Sequence, residues 1–190
     1  MAMSKALSFN SEGFFKIVQF TDLHWGDGNE NDLKTRRLME QVLESEKPDL
    51  VVVTGDLIES QTCTEPVRAV REAVAPMEQS GTPWAAVFGN HDSEGNVTRM
   101  ELLDSLLGLR HGLIERGPES ITGVGNYLLR VTGRDGRTDR ALFFLDSGDY
   151  AEPRIGGYAA IARDQIDWFV RESEALKEAG GGKPVPALAF

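Results

Sequence analysis

Apolar residues along this chain come in two rhythms. Three short runs are apolar almost throughout, Phe14 to Thr21, Leu50 to Thr54 and Pro83 to Phe88. Runs of that length bounded by Gly, Pro or Asp predict buried strands. Between the first two, residues 31–47 return Leu33, Leu38, Met39, Val42 and Leu43 to one side of a helix. An acidic first turn suits the positive end of its dipole, and Pro48 stops it. Before the third run, Pro66 suits a first helical turn, and Val67, Val70, Val74 and Met77 keep helical spacing until Gly81-Thr82-Pro83 breaks it. The order β-α-β-α-β predicts parallel strands joined by right-handed crossovers, and hence an α/β fold.

The second half changes character. A short helix near Thr98 to Leu107 carries Met100, Leu103 and Leu107 on one face. Residues Asn126 to Thr132 and Arg140 to Leu145 read as two strands joined through Gly133-Arg134-Asp135-Gly136, an antiparallel hairpin. A last helix from Arg163 to Ala179 is expected to turn Ile166, Phe169, Val170 and Leu176 inward, with Gly180-Gly181-Gly182 ending it. Val185 to Phe190 reads as another buried strand, and the first residues of the chain as a polar leader.

At 190 residues the length suits one domain with a sizeable core. The 20 basic and 30 acidic residues leave a net charge of −10, which argues against a nucleic-acid or anionic-membrane surface. An anionic substrate would therefore need a local cation. No apolar stretch approaches the roughly 20 residues of a membrane span, and Met1 to Ser8 lacks the apolar centre of a signal peptide, so the expected location is cytoplasmic. Cys63 is the sole cysteine, so any metal must be held by oxygen and nitrogen.

That chemistry is concentrated where the three predicted strands end. The first is followed by Asp22-Leu23-His24, the second by Gly55-Asp56 and the third by Gly89-Asn90-His91-Asp92, with equal gaps of 34 residues from Asp22 to Asp56 and from Asp56 to Asn90. Parallel strands share one carboxyl edge, and ligands of open α/β sheets bind there. Asp22 and His24, one residue apart, share a face if strand geometry persists. A carboxylate with an imidazole suits Zn, Mn or Fe better than Ca. Asp56 can bridge two cations, Asn90 offers a neutral oxygen, and His91 is free to act as an acid with Asp92 fixing its tautomer. Taken singly, Asp56 and Asn90 are equally at home in turns, and His111 reads as a loop residue. Ser147 lacks the Gly-x-Ser-x-Gly surroundings of an activated nucleophile. A receiver-like domain, whose acidic strand ends hold Mg, leaves His24, Asn90 and His91 unexplained.

In order, Asp22-Leu23-His24, Gly55-Asp56 and Gly89-Asn90-His91-Asp92 resemble the Asp-x-His, Gly-Asp and Gly-Asn-His-Asp/Glu motifs of the calcineurin-like metallophosphoesterases. Residues 15–24, Gly123 to Tyr127, Phe144 to Gly148 and Gln165 to Phe169 resemble the purple-acid-phosphatase-like branch that includes the Dcr2-type phosphohydrolases. The resemblance implies a four-layer αββα sandwich with two divalent cations (Mn, Fe or Zn) at the sheet edge. Asp22 and His24 would hold the first, Asp56 would bridge, Asn90 would hold the second, and His91 would assist the leaving group. It further implies three more histidines, one shortly after a strand like Ala187 to Phe190 and two in a late Gly-His-x-His. The only other imidazole here is His111. The expectation is thus one incomplete domain over residues 1–190, without the C-terminal part of its second sheet and with one cation or none. It would hydrolyse phosphorylated small molecules or phosphoproteins weakly or not at all. The alternative is a non-catalytic fragment that self-associates, as a possible homo-oligomer, through open sheet edges.

Overall fold

The structure is a computed structural model that describes residues 6–190, so the first five residues of the leader lie outside the described residues. It contains β1 (Leu7–Ser8), β2 (Ile17–Phe20), α1 (Glu30–Glu46), β3 (Leu50–Thr54), α2 (Pro66–Ser80), β4 (Trp84–Val87), α3 (Arg99–Leu106), β5 (Tyr127–Thr132), β6 (Thr138–Phe144), α4 (Arg163–Ala179) and β7 (Ala187–Ala189). Strands β2, β3 and β4 form a parallel sheet, with Val18 beside Val51 and Val52 beside Ala85. A second sheet runs β1-β5-β6-β7, in which only the β5–β6 pair is antiparallel.

Alternation along β5 and β6 stacks the layers. Tyr127, Leu129, Val131, Leu142 and Phe144 pack into the core shared with the first sheet and with α1, α2 and α3. Leu128, Ala141 and Phe143 face the other way, onto Trp168 and Leu176 of α4. Side chains two apart share a sheet face, so one hairpin supplies both cores and the order is helices, sheet, sheet, helix. β4 lies at the edge of its sheet, and the Tyr127 hydroxyl crosses between sheets to serve it, donating to Ala86 O at 2.7 Å and accepting from Ala86 N at 3.0 Å. Those backbone groups would otherwise be buried without partners.

The helices and central strands fall where hydrophobic spacing places them, and the departures have local causes. The strand expected from Phe14 begins only at Ile17, as β2, because Asn10 accepts from the Phe14 and Glu12 backbone N–H and closes a turn that leaves Phe14 67% exposed. The polar leader contributes an edge strand, since Leu7 pairs with Val131. In α1, Met39 and Leu43 are buried while Leu33 and Leu38 face out, and in α3 Met100 is exposed while Leu102, Leu103 and Leu106 are buried.

Helix α4 keeps only part of the expected inward face, with Phe169 packed on Phe143. Gln165, Trp168 and Leu176 are buried, whereas Ile166 and Val170 are exposed. The cause is polar, because the Gln165 amide donates to Asn126 Oδ1 at 2.8 Å and to the Asp146 carbonyl at 2.7 Å, and its oxygen accepts from Ala162 N at the helix start. A buried amide with three partners outweighs two aliphatic side chains left in water. The last strand, expected to be buried, is an exposed edge strand beside β6, with Phe190 stacked on Phe144. Among the described residues no helix is long and apolar enough to cross a membrane.

Candidate metal centre

The first sheet positions the site by letting its chains leave the strands while remaining tied to one another. Beyond β2, Asp22 N donates to Gly55 O at 3.2 Å, His24 N to Asp56 O at 3.0 Å and Trp25 N to Leu57 O at 3.0 Å. The backbone turns sharply to do so. Asp22, His24 and Asp56 have φ of 52°, 44° and 50°, a left-handed conformation that, among described non-glycine residues, only Lys47 at the end of α1 shares. Each such residue costs about 1–3 kcal/mol and persists only where its surroundings impose it, characteristically at functional sites. Asp is among the types that tolerate the region best, as is His.

This conformation brings three expected ligands together. His24 Nε2 lies 3.7 Å from Asp22 Oδ1 and 3.9 Å from Asp56 Oδ2. The residues after β3 and β4 meet as closely as glycine allows: a Cβ on Gly55 would fall 2.8 Å from Gly89 N, and one on Gly89 would fall 2.5 Å from Asp56 N. Asp56 is gripped across that gap, its Oδ1 accepting the His91 backbone N–H at 3.0 Å while Oδ2 stays turned to His24.

Residues 91–93 form a single 3₁₀ turn held from below. The carboxylate of Asp92 is fully buried, accepting from Ile58 N at 2.9 Å and Gly89 N at 2.7 Å. Burial raises its pKa to about 7 against the lowering pull of those two bonds. Asp92 therefore joins the β3 and β4 loops and does not orient His91, contrary to expectation. Arg99 braces the same turn, donating to Gly89 O at 2.8 Å while paired with buried Asp146.

Two carboxylates that sequence reasoning missed serve the imidazoles. His91 Nδ1 lies 2.6 Å from Glu94 Oε2 while the Tyr150 hydroxyl donates to the other oxygen, Oε1, and His24 Nδ1 lies 2.9 Å from Glu59 Oε2. The two rings meet edge to face with centroids 5.0 Å apart. Burial alone would lower the His91 pKa, but the Glu94 bond and the charges of Glu59, Glu94 and Asp56 outweigh it and hold the pKa above its ordinary value. No motif marks Glu59 or Glu94. A short spacing after Asp56 and His91 was their only trace in the sequence.

The other titratable candidates lie elsewhere. The His111 carbonyl accepts from Trp84 N at the first residue of β4, the opposite end of the strand from Gly89. Cys63 points its thiol at the Trp25 carbonyl, and burial pushes its pKa up to about 11, far from a reactive thiolate.

The donor set fits a divalent cation. His24 Nε2 and two carboxylate oxygens converge at 3.7–3.9 Å without an intervening cationic side chain among their contacts. The Asn90 side chain lies beside the Glu94 carboxylate and the Tyr150 hydroxyl, its buried Nδ2 making no well-formed hydrogen bond. Its amide oxygen is a neutral ligand of a type that divalent cations accept. Asp22, His24 and Asp56 could hold one ion, and Asp56 with Asn90 could contribute to a second.

Two sheets with helices outside them, and a carboxyl edge ending in Asp-x-His, Gly-Asp and Gly-Asn-His-Asp, define a metallophosphoesterase-type protein. Residues 15–178 match the sequence profile described as calcineurin-like phosphoesterase, and the chain belongs to that family. Such proteins generally hold divalent metals. A protein of Arabidopsis thaliana named probable inactive purple acid phosphatase 29 is 34% identical over 209 residues, covering 97% of this chain and 54% of the relative. The phosphatase DCR2 of Saccharomyces cerevisiae is 36% identical over 168 residues, covering 78% of this chain and 29% of the relative. The chain thus spans about half the length, or less, of the curated relatives it matches. In fold it is similar to TT1561 of Thermus thermophilus, with a TM-score of 0.56 and 12% identity over 93% of this chain and 67% of the other.

Proposed function

We propose that this site binds divalent cations and hydrolyses phosphoesters with their help, weakly in the 190-residue chain taken alone. The observation that carries the reading is the approach of Asp22 Oδ1 and Asp56 Oδ2 to His24 Nε2 at 3.7 and 3.9 Å, maintained by three residues in left-handed backbone. Asp22, His24 and Asp56 would hold the first cation, and Asp56 and Asn90 would begin a second position. A divalent cation held there would supply polarisation of a phosphoryl oxygen and a water of near-neutral pKa.

The remaining work falls to the chain itself. His91 keeps Nδ1 on Glu94, so its Nε2 is free to give a hydrogen bond to a phosphoryl or leaving-group oxygen. Its raised pKa favours the protonated ring that such a role needs. Asp92 and Arg99 hold the turn that carries it. Substrates of this reading are phosphorylated small molecules or phosphoproteins. The net charge of −10 disfavours a nucleic acid.

A second reading, a non-catalytic chain that associates through its sheet, draws on the exposed edge strand Ala187–Ala189 and on the word inactive in the name of the Arabidopsis relative. One experiment separates them: metal stoichiometry after incubation with Mn, hydrolysis of a chromogenic phosphomonoester and diester, and light scattering on the same sample. Retained metal with slow turnover is expected. No retained metal, or equal retention by Asp56→Ala, would overturn the first reading, and a concentration-dependent dimer without turnover would favour the second.

A further inference from the structure

We propose that Glu59 is the residue that positions His24, by holding its proton on Nδ1 so that Nε2 presents its lone pair to the cation site. The proposal deepens the metal-centre reading above and rests on it. A neutral imidazole has one donor and one acceptor nitrogen, and the partner of one decides the other. In His24 the two nitrogens have different surroundings. Nδ1 lies 2.9 Å from Glu59 Oε2, and an ionised carboxylate only accepts. Nε2 faces Asp22 Oδ1 and Asp56 Oδ2 at 3.7 and 3.9 Å, too far for hydrogen bonds but suited to oxygens that would share an ion with it.

Glu59 is itself fixed. Its N–H donates to Trp25 O at 3.0 Å, its carbonyl accepts from Thr62 N at 2.9 Å and Thr62 Oγ1 at 3.0 Å, and its side chain is 28% exposed. The segment after β3 thereby sets the ring carried by the segment after β2. His91 has a nearer carboxylate, Glu94 at 2.6 Å against 3.4 Å for Glu59 Oε1, so each imidazole has its own orienting partner.

The rival is that Glu59 binds the cation directly, because His24, Glu59 and His91 also offer three ligand atoms within 4.8 Å of one another. That arrangement would use Nδ1 of His24 and leave Asp22 and Asp56 aside. The chain's three histidines make the choice measurable by long-range proton–nitrogen NMR on the full chain, stripped of metal at a pH where the rings are neutral, with His111 as internal control. His24 should be the Nδ1–H tautomer, should lose that preference in Glu59→Ala and should regain it in Glu59→Gln, whose amide oxygen still accepts. Mn affinity should fall about 10–100-fold in Glu59→Ala and only a few-fold in Glu59→Gln. Loss in Glu59→Gln as large as in Glu59→Ala would mean direct ligation. An Nε2–H tautomer in the parent chain, or no change in Glu59→Ala, would equally overturn the proposal. A parent chain that takes no Mn sinks the phosphoesterase reading instead, and the metal-free tautomers still decide the role of Glu59.

Discussion

If Asp22, His24 and Asp56 form a cation site only in the folded chain, divalent metal must stabilise the fold, and by an amount that counts the ions. The unfolded chain cannot bring a side chain from the β2 end to within 3.9 Å of one from the β3 end, so the unfolded state binds little. Each tenfold rise in free cation above its Kd then adds about 1.4 kcal/mol per bound ion, whatever the Kd. For a chain of this size 1 kcal/mol moves the Tm by about 2–4 °C, so one ion raises Tm by about 3–6 °C per decade of Mn, and two ions double that slope. Differential scanning calorimetry across a Mn series buffered from sub-saturating to millimolar reads it directly. Asp56→Ala should flatten the slope, since that carboxylate serves both positions, while His111→Ala, at the far end of β4, should leave it unchanged. A flat slope in the parent chain, or an unaltered one in Asp56→Ala, would refute the reasoning.

Two further outcomes follow from the loop architecture. Gly89→Ala places a Cβ 2.5 Å from Asp56 N and should displace the bridging carboxylate, costing about 1–3 kcal/mol of stability and most of the Mn slope, with the fold retained by circular dichroism. Asp92 has a folded pKa raised to about 7 from 3.8, so the native state holds its proton more tightly than the unfolded one. The stability this group contributes is full below about pH 4 and is lost as pH rises to about 7. In chelator-treated protein, the stability of the parent chain relative to Asp92→Asn should therefore fall by a few kcal/mol across that window. A difference that grows with pH would contradict it.

Much of the site was legible in the sequence because parallel topology is itself a positional rule. Apolar runs separated by helical spacing imply crossovers, crossovers imply a common carboxyl edge, and Asp22, His24, Asp56 and Asn90 stand at that edge by position along the chain alone. The hairpin and the start of α2 were equally readable, since turn chemistry and a proline at a helix start act over a few residues.

What only the tertiary structure decided are the partners. Asp92 follows His91, yet its side chain enters the core to meet Ile58 N and Gly89 N, while Glu94 and Glu59 reach the imidazoles. The face of α4 was settled by Gln165 finding Asn126 and Asp146, and the leader became a strand because Val131 was there to pair with it. Backbone periodicity is local and survives in the order of residues. The direction of a side chain, and the buried polar group it must satisfy, depend on atoms that lie far away in sequence until the sheets close.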